Sequence, residues 1–148
     1  MKSVEIATTI YLIIILALAG CSTASITESV PPPEGSTVVC EVFYRSDSSQ
    51  SLQAAPIITF SEGNHSETLT FDRMVFAALF QDDEFEGRAL SIAITDLNTE
   101  GDITRQLYQF DRQNPVENQF VGGHGFTGLN YAFQPGSFAE MQFYCSVK

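Results

Sequence analysis

Residues 141–148 alternate without a break: Met141, Phe143, Cys145 and Val147 share one side, and Gln142, Tyr144, Ser146 and Lys148 share the other. A period of two marks a strand with one face buried, because successive side chains of extended backbone point to opposite faces. Residues 37–45 repeat the pattern through Val38, Cys40, Val42 and Tyr44. Residues 89–97 group Leu90, Ile92 and Ile94, and residues 127–133 group Thr127, Leu129, Tyr131 and Phe133. Fainter strands are expected over 55–61, 67–72 and 103–110. Turn-forming clusters at 46–51, 61–64, 96–102, 112–118 and 134–137 separate them. The stretch 74–80 (MVFAALF) is apolar on both faces. Asp72 is placed to cap a short helix there, and a central strand covered on both sides fits equally. Seven residues are short for a helix and the flanks are strand-like, so strand is preferred. No segment carries a long 3.6-residue period. Seven or eight short strands over 37–148 predict an all-β domain, an antiparallel β-sandwich, with an up-and-down β-barrel as the alternative.

The chain has 148 residues, a length for one domain. Seven basic and 18 acidic side chains give a net charge of −11. That balance excludes nucleic acid, which needs a basic face to displace counterions. It also excludes an electrostatic hold on an anionic bilayer. Twelve Phe and five Tyr supply the area for one core.

The N-terminal residues 1–20 have the pattern of an export signal: Lys2, then an uncharged run from Ile6 to Ala19 rich in Ile, Leu and Ala. As a helix that run is about 21 Å long, short of what spans a bilayer core. It closes on Leu18-Ala19-Gly20-Cys21. This segment resembles the lipobox of bacterial lipoproteins. The resemblance implies that the Cys21 thiol receives a diacylglyceryl group and that a peptidase cuts just before it. Two acyl chains suffice for a stable anchor without any basic patch. The expected location is therefore the extracytoplasmic face of the cell membrane. In a two-membrane host, Ser22 after the cysteine permits the outer membrane.

Residues 21–36 are rich in Ser, Thr, Pro and Glu, with no apolar period, and read as a disordered linker. The domain is expected to begin at Thr37. Three cysteines in an exported chain leave one unpaired. With Cys21 taken by lipid, as the resemblance implies, Cys40 and Cys145 remain as a disulfide pair in an oxidising compartment.

Three segments are candidates for chemistry. Asp96, Asn98 and Glu100, followed by Gly101, resemble the opening of a calcium loop. The bidentate acid at the twelfth position is absent, however, and Asp, Asn and Gly are also what a turn between strands requires. Gln81–Glu86 (QDDEFE) crowds four carboxylates and reads as a solvated connection and a second candidate contact segment, with a shared cation, calcium before zinc, as the alternative. Residues 120–129 (FVGGHGFTGL) place Gly122, Gly123, His124, Gly125 and Phe126 in a candidate binding loop, with a bulged, glycine-relieved strand as the plain alternative.

No nucleophile elbow, phosphate loop or zinc-protease motif is present in the sequence, and His65 and His124 are its only histidines. The sequence implies no cofactor. The function expected is a non-catalytic module, held to the membrane through Cys21, that binds a protein or carbohydrate. A structural envelope lipoprotein and a hydrolase using unrecognised carboxylates are the alternatives. A binding module is expected to show a concave, partly aromatic patch near the glycine-rich segment.

Overall fold

In the computed structural model, residues 37–61, 63–83, 87–111 and 116–148 are described. The expected signal peptide, Cys21 and the linker lie outside the described residues. Among the described residues nine strands form: β1 (Val38–Arg45), β2 (Gln53–Ala54), β3 (Ile58–Phe60), β4 (His65–Thr70), β5 (Met74–Asp83), β6 (Gly87–Asp96), β7 (Asp102–Phe110), β8 (Asn130–Phe133) and β9 (Glu140–Val147). Two of them, β2 and β3, are fragments that pair with β1 at different points along it.

All pairings are antiparallel, and they make two sheets. One runs β2-β1-β9-β8 with β3 also on β1; the other is the meander β4-β5-β6-β7. No ladder joins β7 to β8, so the sheets face each other as a sandwich and do not close into a barrel. Phe76 of β5 meets Phe143 of β9 edge to face at 5.5 Å, and Phe80 of β5 stacks on Phe60 of β3 at 5.8 Å. These rings, with Met74, Leu90, Ile92, Ile94 and Met141, are almost wholly buried between the layers. Each such side chain contributes roughly 1.5–3 kcal/mol by leaving water.

The 74–80 stretch is a strand and extends to Asp83. The reason is positional: β5 is flanked by β4 and β6, and its second face stays partly open, with alternate residues Val75, Ala77 and Leu79 half-buried or exposed. Gln81, Asp82 and Asp83 therefore belong to β5 and not to a connection. Asp82 accepts from Arg88 Nε at 2.9 Å at the start of β6. Glu84 and Glu86 lie outside the described residues.

The expected pair Cys40–Cys145 is a disulfide. The two residues are direct register partners on β1 and β9, with Cα atoms 4.1 Å apart and no exposed surface. The bridge thus joins neighbouring strands of one sheet, the first long strand to the last.

One strand departs from expectation. In β8 the large rings face out: Tyr131 is 52% and Phe133 58% exposed, while Ala132 between them is buried. The next inward position is Gln134, also buried. Its side-chain amide donates to Asp96 Oδ1 at 2.6 Å, and its carbonyl accepts from Ser137 Oγ at 2.7 Å. Asp96 accepts further from the Asn98 amide (2.9 Å) and from Thr99 Oγ1 (3.1 Å). This knot ties the β8–β9 turn of one sheet to the β6–β7 turn of the other.

The Gln134 amide, with the Asn98 and Thr99 donors, holds the Asp96 carboxyl below its ordinary pKa. A folded value below the unfolded one stabilises the fold at neutral pH. That stability is lost as pH falls through the folded value. Wild-type protein should therefore lose stability more steeply below about pH 4 than Asp96→Asn, whose profile should be flatter in that window. Urea midpoints measured from pH 2 to 7 check this; parallel profiles would count against it.

Candidate functional site

The glycine-rich segment is an irregular continuation of β8 along the edge of β9. A regular strand is barred there, because Gly122, Gly123, Gly125 and Gly128 all take positive φ. Side chains replace the missing ladder. Asn118 donates to the Val147 carbonyl at 2.8 Å and accepts from the Val147 amide at 2.9 Å. Thr127 Oγ1 accepts from the Cys145 amide at 2.8 Å, and the Phe126 amide donates to the Cys145 carbonyl at 3.0 Å. A short 3₁₀ turn, Val121–Gly123, bulges away from the edge.

Gly125 is fixed by contact as well as by φ. A Cβ there would lie 2.0 Å from the Cys145 carbonyl oxygen and 2.6 Å from its carbon. The backbone of the segment lies directly on the backbone of β9.

The five residues expected to form one binding loop divide. Gly122 and Gly123 are exposed at the tip, and Gly125 is buried on β9. His124 turns to the outer face of its sheet and meets Tyr144 edge to face at 5.4 Å; Tyr144 in turn neighbours Phe43 at 6.4 Å. Burial, with the Glu41 carboxylate beside it, pushes the Tyr144 phenol up to about 12. Phe126 turns the other way, into the core. It sits edge to face on Tyr108 at 5.8 Å and on Phe110 at 5.2 Å.

Apart from these ring contacts, no strand ladder joins this segment to β7 among the described residues. A chain of hydrogen bonds also links them. The Tyr108 hydroxyl donates to Gln106 Oε1 (2.6 Å), Gln106 Nε2 donates to Asn130 Oδ1 (3.1 Å), and Asn130 Nδ2 donates to the Gly128 carbonyl (2.9 Å). Beyond that bridge lies an open groove of about 690 Å³. One wall is β7 and the residue after it, Leu107, Tyr108, Gln109, Phe110 and Asp111; the other is Val116, Glu117 and Gln119, with Phe126 behind them. The groove is concave, partly aromatic and beside the glycine segment. Burial raises the Tyr108 phenol above its ordinary value. Carboxylates, Asp111 and Glu117, stand on both walls.

The turn with Asp96, Asn98 and Glu100 does not gather its oxygens. Asp96 is buried and points to Gln134, whereas Asn98 and Glu100 are exposed, and Glu100 takes a left-handed backbone conformation (φ 56°). Among the described residues no three His, Cys, Asp or Glu side chains stand together as a metal site. His65 is far from His124 in sequence and lies on edge strand β4, where its Nε2 is 2.7 Å from Glu67.

Sequence reasoning missed β7 as part of the site. Its residues alternate like any half-buried strand, and only the unpaired side it turns to the 116–126 segment makes it a wall. Comparison with protein-family models, curated proteins and solved structures finds no match for the chain.

Proposed function

We propose that this chain is a lipid-anchored, extracytoplasmic β-sandwich that binds a ligand without catalysis, through the groove between β7 and the 116–126 segment. One observation carries the reading. The groove sets apolar and aromatic side chains (Leu107, Phe110, Val116, Phe126) beside an at least equal share of polar ones (Tyr108, Gln109, Asp111, Glu117, Gln119), which supplies both contact area and groups to orient a ligand. The non-catalytic part rests on chemistry. Neutral-pH acid–base work commonly recruits a histidine, and the chain's two histidines face Tyr144 and Glu67 instead. The anchor rests on Leu18-Ala19-Gly20-Cys21 following the apolar run.

A photo-crosslinking residue at position 107, which is 60% exposed, should capture ligand on whole cells. The same residue at position 97, in the distant β6–β7 turn, should not. Equal capture at both positions, or none at 107, counts against the groove. For the anchor, Cys21→Ala should abolish lipid labelling and accumulate precursor. Unchanged processing and membrane retention would remove the lipobox reading.

A structural envelope role also has an observation in its favour. Tyr131, Phe133 and Phe138 are 52, 58 and 71% exposed along and beside edge strand β8, and exposed apolar patches mark contact surfaces. Under that reading Phe133→Ser, and not a groove substitution, should release the protein from its envelope complexes.

A further inference from the structure

We infer that the protein pairs with a second copy of itself through the open edge of β8, across a two-fold axis at Ala132, so that the two β8-edged sheets run on as one. The inference gives the exposed patch on β8 a partner and does not depend on the groove reading.

Three observations carry it. First, half of the β8 backbone turns away from its sheet. The Gln134 amide donates to the Ala139 carbonyl at 3.1 Å, and Ala132 and Asn130 stand opposite Met141 and Phe143 on β9. An antiparallel ladder alternates, so these residues turn their amides and carbonyls to β9, and Tyr131 and Phe133 turn theirs outward. Among the described residues no strand pairs with that side. Gln106 of β7 meets Asn130 through side chains, on the inward face that Asn130 shares with Ala132. Second, the edge is complementary to itself. With Ala132 opposite the partner's Ala132, Tyr131 lies opposite the partner's Phe133, and Phe133 opposite the partner's Tyr131. The outward amide and carbonyl of each then meet those of the other, and every outward group of the two residues is bonded. Both rings are exposed on the outer face, so they meet as well, and cross-strand aromatic pairs stabilise such a ladder. Slippage by one residue would lose both matches. The symmetry is that of an isologous dimer. Third, charge leaves this edge accessible. A second copy also carries −11 and is repelled by acidic surface. Residues 118–139 contain no Asp, Glu, Lys or Arg. Across from β8 the charged residue on β9 is Glu140, buried and paired with Arg45. The edge strands of the other sheet are charged, with Glu67 on β4 and with Asp102 and Arg105 on β7. A like-charged copy therefore meets least repulsion at β8, where no charge guards the edge.

The test is sedimentation of the full chain in detergent from low to high micromolar concentration. The wild type should pass from monomer to dimer over that range. In the dimer the amides of Tyr131 and Phe133 should exchange at least ten-fold more slowly than in the monomer. Tyr131→Lys/Phe133→Lys sets like charges opposite each other across the axis and should stay monomeric. Tyr131→Glu/Phe133→Lys sets an acid opposite a base at both places and should dimerise. Both positions are exposed, so the urea midpoints of the two variants should match each other. A wild type that stays monomeric at high micromolar concentration overturns the inference. If Phe133→Ser then still releases the protein from envelope complexes, the β8 patch belongs to a different partner. A dimer that survives in the double-lysine variant uses another surface and also overturns the inference. So does an acid–base variant that stays monomeric while the wild type dimerises. Crosslinking at position 107 tests the groove separately and is unaffected by any of these results.

Discussion

Gly125→Ala should destabilise the fold by about 3 kcal/mol or more. Two separate costs act at this position. The backbone is left-handed (φ +63°), where any residue with a Cβ is strained, and that Cβ would stand 2.0 Å from the Cys145 carbonyl oxygen. The obstacle is main chain in the middle of a sheet and cannot swing aside. Gly123 is the control. It is also left-handed (φ +82°) but has open space around its Cβ position. Gly123→Ala should cost only about 1–2 kcal/mol, the price of the backbone conformation alone. Urea denaturation of the two variants separates contact from conformation. If Gly125→Ala fell within about 0.5 kcal/mol of Gly123→Ala, the close approach to β9 would be wrong.

The Cys40→Ala/Cys145→Ala double variant should lose about 2–5 kcal/mol. The bridge spans 105 residues of sequence, and the chain-entropy estimate for a loop of that order is about 4.7 kcal/mol. Both sulfurs are wholly buried, so two alanines also leave a small void between the sheets. Wild-type protein unfolded in urea with and without reductant gives the same comparison without mutation. Reductant should lower the midpoint of the wild type and leave the double variant where it was. A wild-type midpoint indifferent to reductant would show that the pair carries no stability.

Most of the sheet architecture was legible in the residues. Alternation placed Cys40, Val42, Phe143 and Cys145 on inward faces, where they are buried. It failed at β8, because alternation names two faces without saying which one meets the core. There the rings of Tyr131 and Phe133 form the more apolar face, and the structure buries the other, Ala132 and Gln134. Gln134 is held inward by Asp96, 38 residues away in sequence, and no local pattern announces such a partner. The turn at Asp96–Gly101 was legible as a turn for the same reason that it looked like a calcium loop, since Asp and Asn serve both. The glycine segment was legible as unusual but not as divided, because the side chains of His124 and Phe126 leave on opposite sides of one edge. A patch beside the glycine segment was expected, but its β7 wall was not legible. The groove is the space between a regular strand and a segment whose partner, β9, lies at the end of the chain.

Cys145 holds three things at once. Its sulfur joins β1, its amide bonds Thr127, and its carbonyl receives the Phe126 amide and bears Gly125. The wall of the groove is therefore pinned to the same residue that closes the chain. The disulfide thus sets the position of the very main chain on which Gly125, Phe126 and Thr127 are seated, so a tether between two strands also fixes the register of an irregular segment that contains no cysteine.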